Sequence, residues 1–313
     1  MSKLKSKLKT IFFIDTIAVA SMYGINHIVS SSALLKNILK PNSGKYYNWK
    51  MGKIFYRTMG TGSPLLLIHD LDAFSSGYEW NLVTDKLKKD HTLYIIDLLG
   101  CGRSDKPGIT YTNYLYVQLL SDFIRDVIGK KTDIAATGLS SSFVLMTALS
   151  NSDIIDNIIM INPPSMKKLD QIPDNKSKLI RSLISLPIVG TFLYNMKACR
   201  QNVEYALTEK YLYNPFHTQQ KHIDAYYESA HYGHGGGRFL MASLDGFYLN
   251  VNIRRALVKL ENKLTIIYGD KLENEKEIIQ SYRKLNGKIS TITISGTKYL
   301  PQLEKPEEFL NCF

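Results

Sequence analysis

The feature that most constrains this chain is a repeated alternation of short apolar runs with amphipathic stretches. Runs at 64–68, 93–96, 133–137, 154–161, 264–268 and 289–294 are four to eight residues long and rich in β-branched side chains. Such runs suit strands buried on both faces. Amphipathic stretches such as 80–89 and 114–128 lie between them, and this alternation implies a parallel sheet with helices on both sides. Upstream, 46–49 and 53–58 read as two further strands around Met51-Gly52, closed by Gly60-Thr61-Gly62-Ser63. One gap breaks the rhythm. About a hundred residues, 163–263, separate two core runs. The segment is rich in tyrosine (Tyr226, Tyr227 and Tyr232 among them), with helix-like stretches at 180–186 and 203–211. It reads as a helical cap inserted into the domain.

A chain of 313 residues that is 44% hydrophobic and 21% charged can bury a full core and does not read as disordered. Its three cysteines, Cys101, Cys199 and Cys312, are scattered without CxxC spacing, which argues against a disulfide framework or a zinc site. Gly100-Cys101-Gly102 lacks the third glycine of a dinucleotide fingerprint. No cofactor is expected. The net charge is +11, and the first forty residues hold Lys3, Lys5, Lys7, Lys9, Lys36 and Lys40 against Asp15 alone. A polybasic end beside apolar sequence suggests an anionic membrane surface. No recognition motif accompanies the charge, so nucleic acid is the poorer partner.

Residues 11–35 are mostly apolar and long enough for a span of about 20 residues. Asp15, Asn26, His27 and three serines from Ser30 to Ser32 are costly there. A signal anchor is the preferred reading. A signal peptide cleaved near Ala18-Val19-Ala20, an interfacial amphipathic helix and an ordinary soluble helix stay open. A spanning anchor would put the lysines inside and the domain on the outer face. The expected organisation is a membrane-anchor segment over 1–40 and a domain over 41–313, joined at Pro41-Asn42-Ser43-Gly44, with the cap at about 163–263.

Four motifs carry chemistry. Gly138-Leu139-Ser140-Ser141-Ser142 stands between an apolar strand and an apolar helix and resembles the G-x-S-x-G nucleophile elbow. Residues 97–107 read DLLGCGRSDKP and look like the D-x-x-G-x-G-x-S-D-x-P stretch of epoxide-hydrolase-like and esterase-like α/β-hydrolases. Residues 65–80, LLLIHDLDAFSSGYEW, resemble that family's His-Gly turn with its downstream tryptophan. Residues 300–309, LPQLEKPEEF, resemble the entry to its last helix. The resemblance runs from about Tyr46 to Phe313 in the family's order and implies the α/β-hydrolase fold: a mostly parallel central sheet flanked by helices, with a cap.

The resemblance implies Ser140 as nucleophile and the backbone N–H groups of Leu71 and Ser141 as oxyanion donors. It also exposes departures. The family's histidine position holds Tyr299, and no histidine follows residue 268. The acid position holds Leu272, with Asp270 and Glu273 as neighbouring acid candidates. The His-Gly turn is His69-Asp70, where an inward carboxylate would oppose a developing negative charge. His231 and His234, in HYGHGGGR, read as part of a flexible glycine-rich loop, and His69 reads as structural. Tyr299 serves as a base only with a strongly lowered pKa. Two functions compete. One is a membrane-associated serine hydrolase of ester or acyl substrates, using Ser140 with an unconventional base. The other is a non-catalytic homologue binding a small apolar ligand, a lipid or a partner protein.

Overall fold

The computed structural model describes residues 2–40 and 43–313, with side chains from Phe13 onward apart from Ile14. Pro41 and Asn42 of the linking turn, and the side chains of Lys3 to Lys9, lie outside the described residues. Eight strands form one sheet: β1 Lys45–Trp49, β2 Gly52–Met59, β3 Ser63–Ile68, β4 His91–Ile96, β5 Thr132–Thr137, β6 Ile155–Ile161, β7 Leu264–Gly269 and β8 Ser290–Ile294. Their order across the sheet is β1-β2-β4-β3-β5-β6-β7-β8. Strand β2 pairs antiparallel with β1 and β4, and all other pairings are parallel. Every strand read from the sequence is present. The parallel strands are apolar on both faces because helices cover both: Leu66, Ile134 and Ile158 pack in one buried cluster, and Leu65, Leu67 and Ala135 in another.

The helices are α1 Ser2–Ala33, α2 Thr84–Leu87, α3 Asn113–Phe123, α4 Ser140–Ser150, α5 Met166–Leu169, α6 Asn175–Ser185 and α7 Pro187–Lys197, followed by α8 Arg200–Tyr205, α9 Gln220–His231, α10 Gly237–Asp245, α11 Arg254–Lys259, α12 Glu275–Leu285, α13 Pro301–Glu304 and α14 Pro306–Leu310. Helices α5 to α11 fall between β6 and β7. Two amphipathic stretches are not single helices. The stretch 80–89 is a 3₁₀ turn, Gly77–Trp80, followed by α2. The Asp97 carboxylate accepts from Gly77 N at 2.7 Å and pins that turn. Helix α3 runs into a π-turn, Ile124–Ile128, closed by Gly129 at φ 67°, where only glycine is unstrained.

No single described helix is long and apolar enough to cross a membrane. The C-terminal part of α1 is a packed element: Asn26, Ser30 and Ala33 are buried. Asn26 Nδ2 donates to Ile188 O at 3.1 Å and its Oδ1 accepts from Asn195 at 2.8 Å. Beyond it, Ile38 N and Leu39 N donate to the Glu228 carboxylate of α9. The segment 232–236 is not an open loop either. His231 is buried against Tyr227 and Tyr194, and Gly235, Gly236 and Gly237 are buried, while His234 is exposed.

The strand order reverses between β3 and β5, where successive connections leave the sheet in opposite directions. Crevices in α/β sheets open at the carboxyl ends of strands at such a switch. The loops that meet there are His69 to Asp72 after β3 and Gly138 after β5.

Candidate functional site

The β5–α4 turn is sharp. Gly138 takes φ +54°, while Leu139 is already helical at φ −63°. A Cβ on Gly138 would sit 2.0 Å from the Tyr299 hydroxyl and 2.3 Å from Asp70 Oδ1. The residue at the tip of the turn therefore faces Tyr299 and Asp70. Ser140 does not. It lies in the first turn of α4, fully buried, and its Oγ donates to His69 O at 2.6 Å. This corrects the expectation that Ser140 Oγ stands out above the sheet: at the first residue of the helix, two beyond Gly138, the side chain points back at the β3 loop. Ser141 N donates to Gly138 O at 3.2 Å within the turn, and Ser141 Oγ donates to Ala136 O. Its N–H is therefore not directed at the crevice.

Two N–H groups do converge. Leu71 N donates to Asp70 Oδ1 at 2.8 Å, and Leu139 N donates to the same oxygen at 2.9 Å. The other carboxylate oxygen, Oδ2, accepts from the Tyr299 hydroxyl at 2.8 Å. Burial pushes the Asp70 carboxyl above the usual range, while Lys168, the Tyr299 hydroxyl and the Leu139 N–H draw it back. Burial and the neighbouring Asp70 drive the Tyr299 pKa far up. Tyr299 is thus a donor and not a base. It stacks on Tyr211 at 5.6 Å, and Asn162 Nδ2 holds its backbone carbonyl at 2.8 Å.

Behind this group lies Glu79, fully buried. It accepts from Asp70 N at 3.0 Å and from Gln302 Nε2 at 2.8 Å. Burial raises its pKa to about 8. His69 is also fully buried. Its Nδ1 donates to Asp70 O at 2.6 Å and its Nε2 accepts from Leu98 N at 3.0 Å, which defines one neutral tautomer. Burial lowers its pKa to about 4. Both ring nitrogens are committed, as expected of a structural histidine.

The acid candidates sit apart from Tyr299. Asp270 accepts from Ser295 Oγ at 2.8 Å and Gly296 N at 2.7 Å. Burial raises its carboxyl, but these donors and Lys271 outweigh that and hold it below the usual range. Its lone pairs tie the turn after β8. Glu273 is exposed, and with the half-buried Leu272 it lines a cavity of about 700 Å³ that reaches Tyr299. No hydrogen bond among the described residues joins Asp270 or Glu273 to Tyr299.

The space over Asp70 is open. A cavity of about 620 Å³ is lined by Asp70, Asp72, Phe74, Lys168, Tyr211 and Tyr299, among others. A second, of about 510 Å³, reaches Asp70 past Leu139 and Phe247. These are volumes typical of small-molecule sites. The floor is charged, not apolar as expected. Tyr226 is buried in a different role, packing with Tyr78, Leu207 and Leu303 while Tyr227 and Tyr232 border the same cluster.

Residues 65–311 match the model of the Alpha/beta hydrolase family, well over half of the chain. The chain belongs to that family. An uncharacterized protein of Mycobacterium tuberculosis is 27% identical over 141 residues, 43% of this chain and 40% of that protein. A soluble epoxide hydrolase of Corynebacterium sp. strain C12 is 26% identical over 143 residues, 46% of this chain and 45% of that one. The chain thus spans less than half the length of the curated relatives it matches. Among solved structures, the epoxide hydrolase CorEH superposes with a TM-score of 0.69 at 18% identity, covering 86% of this chain and 96% of that one. The serine hydrolase CarC of carbazole degradation gives 0.69 at 16% identity, with the same coverage. At these identities the structural likeness speaks for the fold alone.

In this α/β-hydrolase chain the family's elbow places a side chain at the tip of the strand-to-helix turn. The next N–H and one from the loop after β3 serve as oxyanion donors. Leu139 N and Leu71 N have that disposition here, and the oxygen between them is Asp70 Oδ1. Sequence reading missed Gly138 because Gly138 to Ser142 matched the motif's spelling. The frame two residues upstream, Ala136-Thr137-Gly138-Leu139-Ser140, has the same small-residue spacing and offers glycine at its centre.

Proposed function

We propose that this chain is a non-hydrolysing member of the α/β-hydrolase family that binds a small molecule in the crevice over Asp70 and Tyr299. The observation that carries this is the occupant of the Leu71–Leu139 pair. A carboxylate oxygen of the protein stands where an acyl substrate would develop negative charge. Both N–H groups already donate to that oxygen, so neither is free for such a transition state. Glycine at the tip of the turn supplies no nucleophile, and Ser140 Oγ is hydrogen-bonded to His69 O without a base. The ligand favoured by the lining has a polar end facing Asp70, Asp72 and Lys168 and an apolar part against Phe74 and Tyr211. We propose also that the protein works at a membrane surface, held there through its N-terminal helix.

The test is labelling with a serine-directed fluorophosphonate. The expected result is no labelling, unchanged by Ser140→Ala. Rapid labelling abolished by Ser140→Ala would overturn the reading. A second arm compares two reconstructions. Tyr299→His with Leu272→Asp should restore nothing while Asp70 and Gly138 remain. Adding Gly138→Ser and Asp70→Gly should create reactivity at residue 138. Labelling of Ser140 in the double variant would also sink the proposal.

A further inference from the structure

The helices between β6 and β7 expose several large apolar side chains near α1. Helices α6 and α7 meet at Leu186 with a bend of 103°. Leu179, Leu183, Leu186, Leu193 and Met196 are exposed along this corner, Leu179 at 63% and Met196 at 58%. Ile184 and Tyr194 turn inward, so the corner is a folded element whose outer side carries leucines. Helix α1 lies against α7 through Asn26. Earlier in α1, Phe13, Ile17 and Val19 are exposed, Phe13 at 65%. Single exposed leucines need no explanation, but contiguous apolar patches mark interaction sites.

We infer that α1 and the α6–α7 corner form one docking face for an anionic lipid surface, entered from the side and not spanned. This rests on the proposal that the protein works at a membrane. Three points choose the occupant. The first is charge: Lys176, Lys178 and Arg181 stud α6, the lysines from Lys3 to Lys9 precede the apolar part of α1, and the chain carries +11 overall. Basic residues beside an apolar helix face favour anionic headgroups. The second is length. From Asn26 onward α1 is engaged with the cap, and up to Lys9 it is basic. Residues 10–25 are about 24 Å of helix at 1.5 Å per residue, short of the roughly 30 Å hydrocarbon core. Asp15 lies within that stretch. The third is that α6 and α7 have the length and apolarity of a span only as a pair bent by 103°, and the inward Ile184 and Tyr194 tie that pair to the rest of the fold.

The experiment is flotation of the full chain with vesicles of phosphatidylcholine alone or with 30% phosphatidylglycerol. Three proteins are compared: wild type, Leu183→Glu with Leu186→Glu on the cap corner, and Phe13→Glu with Ile17→Glu on α1. Circular dichroism of each pair confirms folding. The inference expects wild type to partition at least tenfold more onto the anionic vesicles and to be released at pH 11. It expects each pair of substitutions to cost at least tenfold by itself. If the cap pair floats like wild type, the composite face is wrong while attachment through α1 stands. If alkaline washing fails to release the protein, α1 spans and the inference is likewise overturned. If wild type does not float, membrane attachment fails together with it.

Discussion

Gly138→Ala is the sharpest perturbation of the site. The added Cβ would lie 2.0 Å from the Tyr299 hydroxyl and 2.3 Å from Asp70 Oδ1, at a backbone φ of +54°. The left-handed conformation costs an L-residue about 1–2 kcal/mol. The clash cannot be relieved without separating Tyr299 from Asp70, a hydrogen bond to a charged acceptor worth about 1.5–3 kcal/mol. The expected loss is about 3–5 kcal/mol, or roughly 5–10 °C in Tm for a chain of this size. Urea unfolding followed by circular dichroism measures it. Tyr299→Phe removes the hydroxyl that the new methyl would strike. The Gly138→Ala penalty should therefore shrink in the Tyr299→Phe background, leaving mainly the backbone cost and the Asp70 contact. A Gly138→Ala protein within 0.5 kcal/mol of wild type, or an equal penalty with and without the Tyr299 hydroxyl, would refute the geometry on which the non-hydrolysing reading stands.

Glu79 has a folded pKa of about 8 against an ordinary value of 4.5, so the unfolded chain releases this proton first and stability falls as pH rises from about 4.5 to 8. The slope approaches 1.4 kcal/mol per pH unit. Glu79→Gln should remove that fall in urea titrations at pH 5, 6.5 and 8, because Gln302 can turn its partnerless buried Oε1 toward the new amide. His69, lowered to about 4 by burial, has the opposite sign: its contribution is present above pH 6.5 and is lost as pH falls toward 4. Arg103→Met should cost about 3–5 kcal/mol in the same assay, since it leaves the fully buried Asp97 carboxylate without the guanidinium at 2.7 and 2.9 Å. Ser140→Ala should cost about 1–3 kcal/mol, since it leaves the buried His69 carbonyl without the hydroxyl that donates to it.

Much of the fold was legible in the sequence because hydrophobic period and length are local properties. All eight strands, the sheet type and the helical nature of the segment between β6 and β7 follow from runs that neighbouring residues define. The identities of Tyr299 and Leu272 were equally visible, while their match to the family's histidine and acid positions is what the resemblance implies. Helix breaks were not. The turn at Gly77–Trp80 is held by Asp97, twenty residues away, which no local pattern reports. The site was the least legible. Ser140 had the right neighbours, yet which residue of a turn faces the crevice depends on the φ of Gly138. That conformation is sterically easy only where no side chain meets Asp70 and Tyr299. Asp70 read as an obstacle to oxyanion binding. Only the tertiary arrangement, which brings residues 70, 139 and 299 together at the switch between β3 and β5, shows its carboxylate oxygen seated between the Leu71 and Leu139 N–H groups. The same holds for the N-terminal segment. Its apolar length was written in the sequence, but the hydrogen bonds of Asn26 to Ile188 and Asn195 are long-range contacts that no local pattern reports.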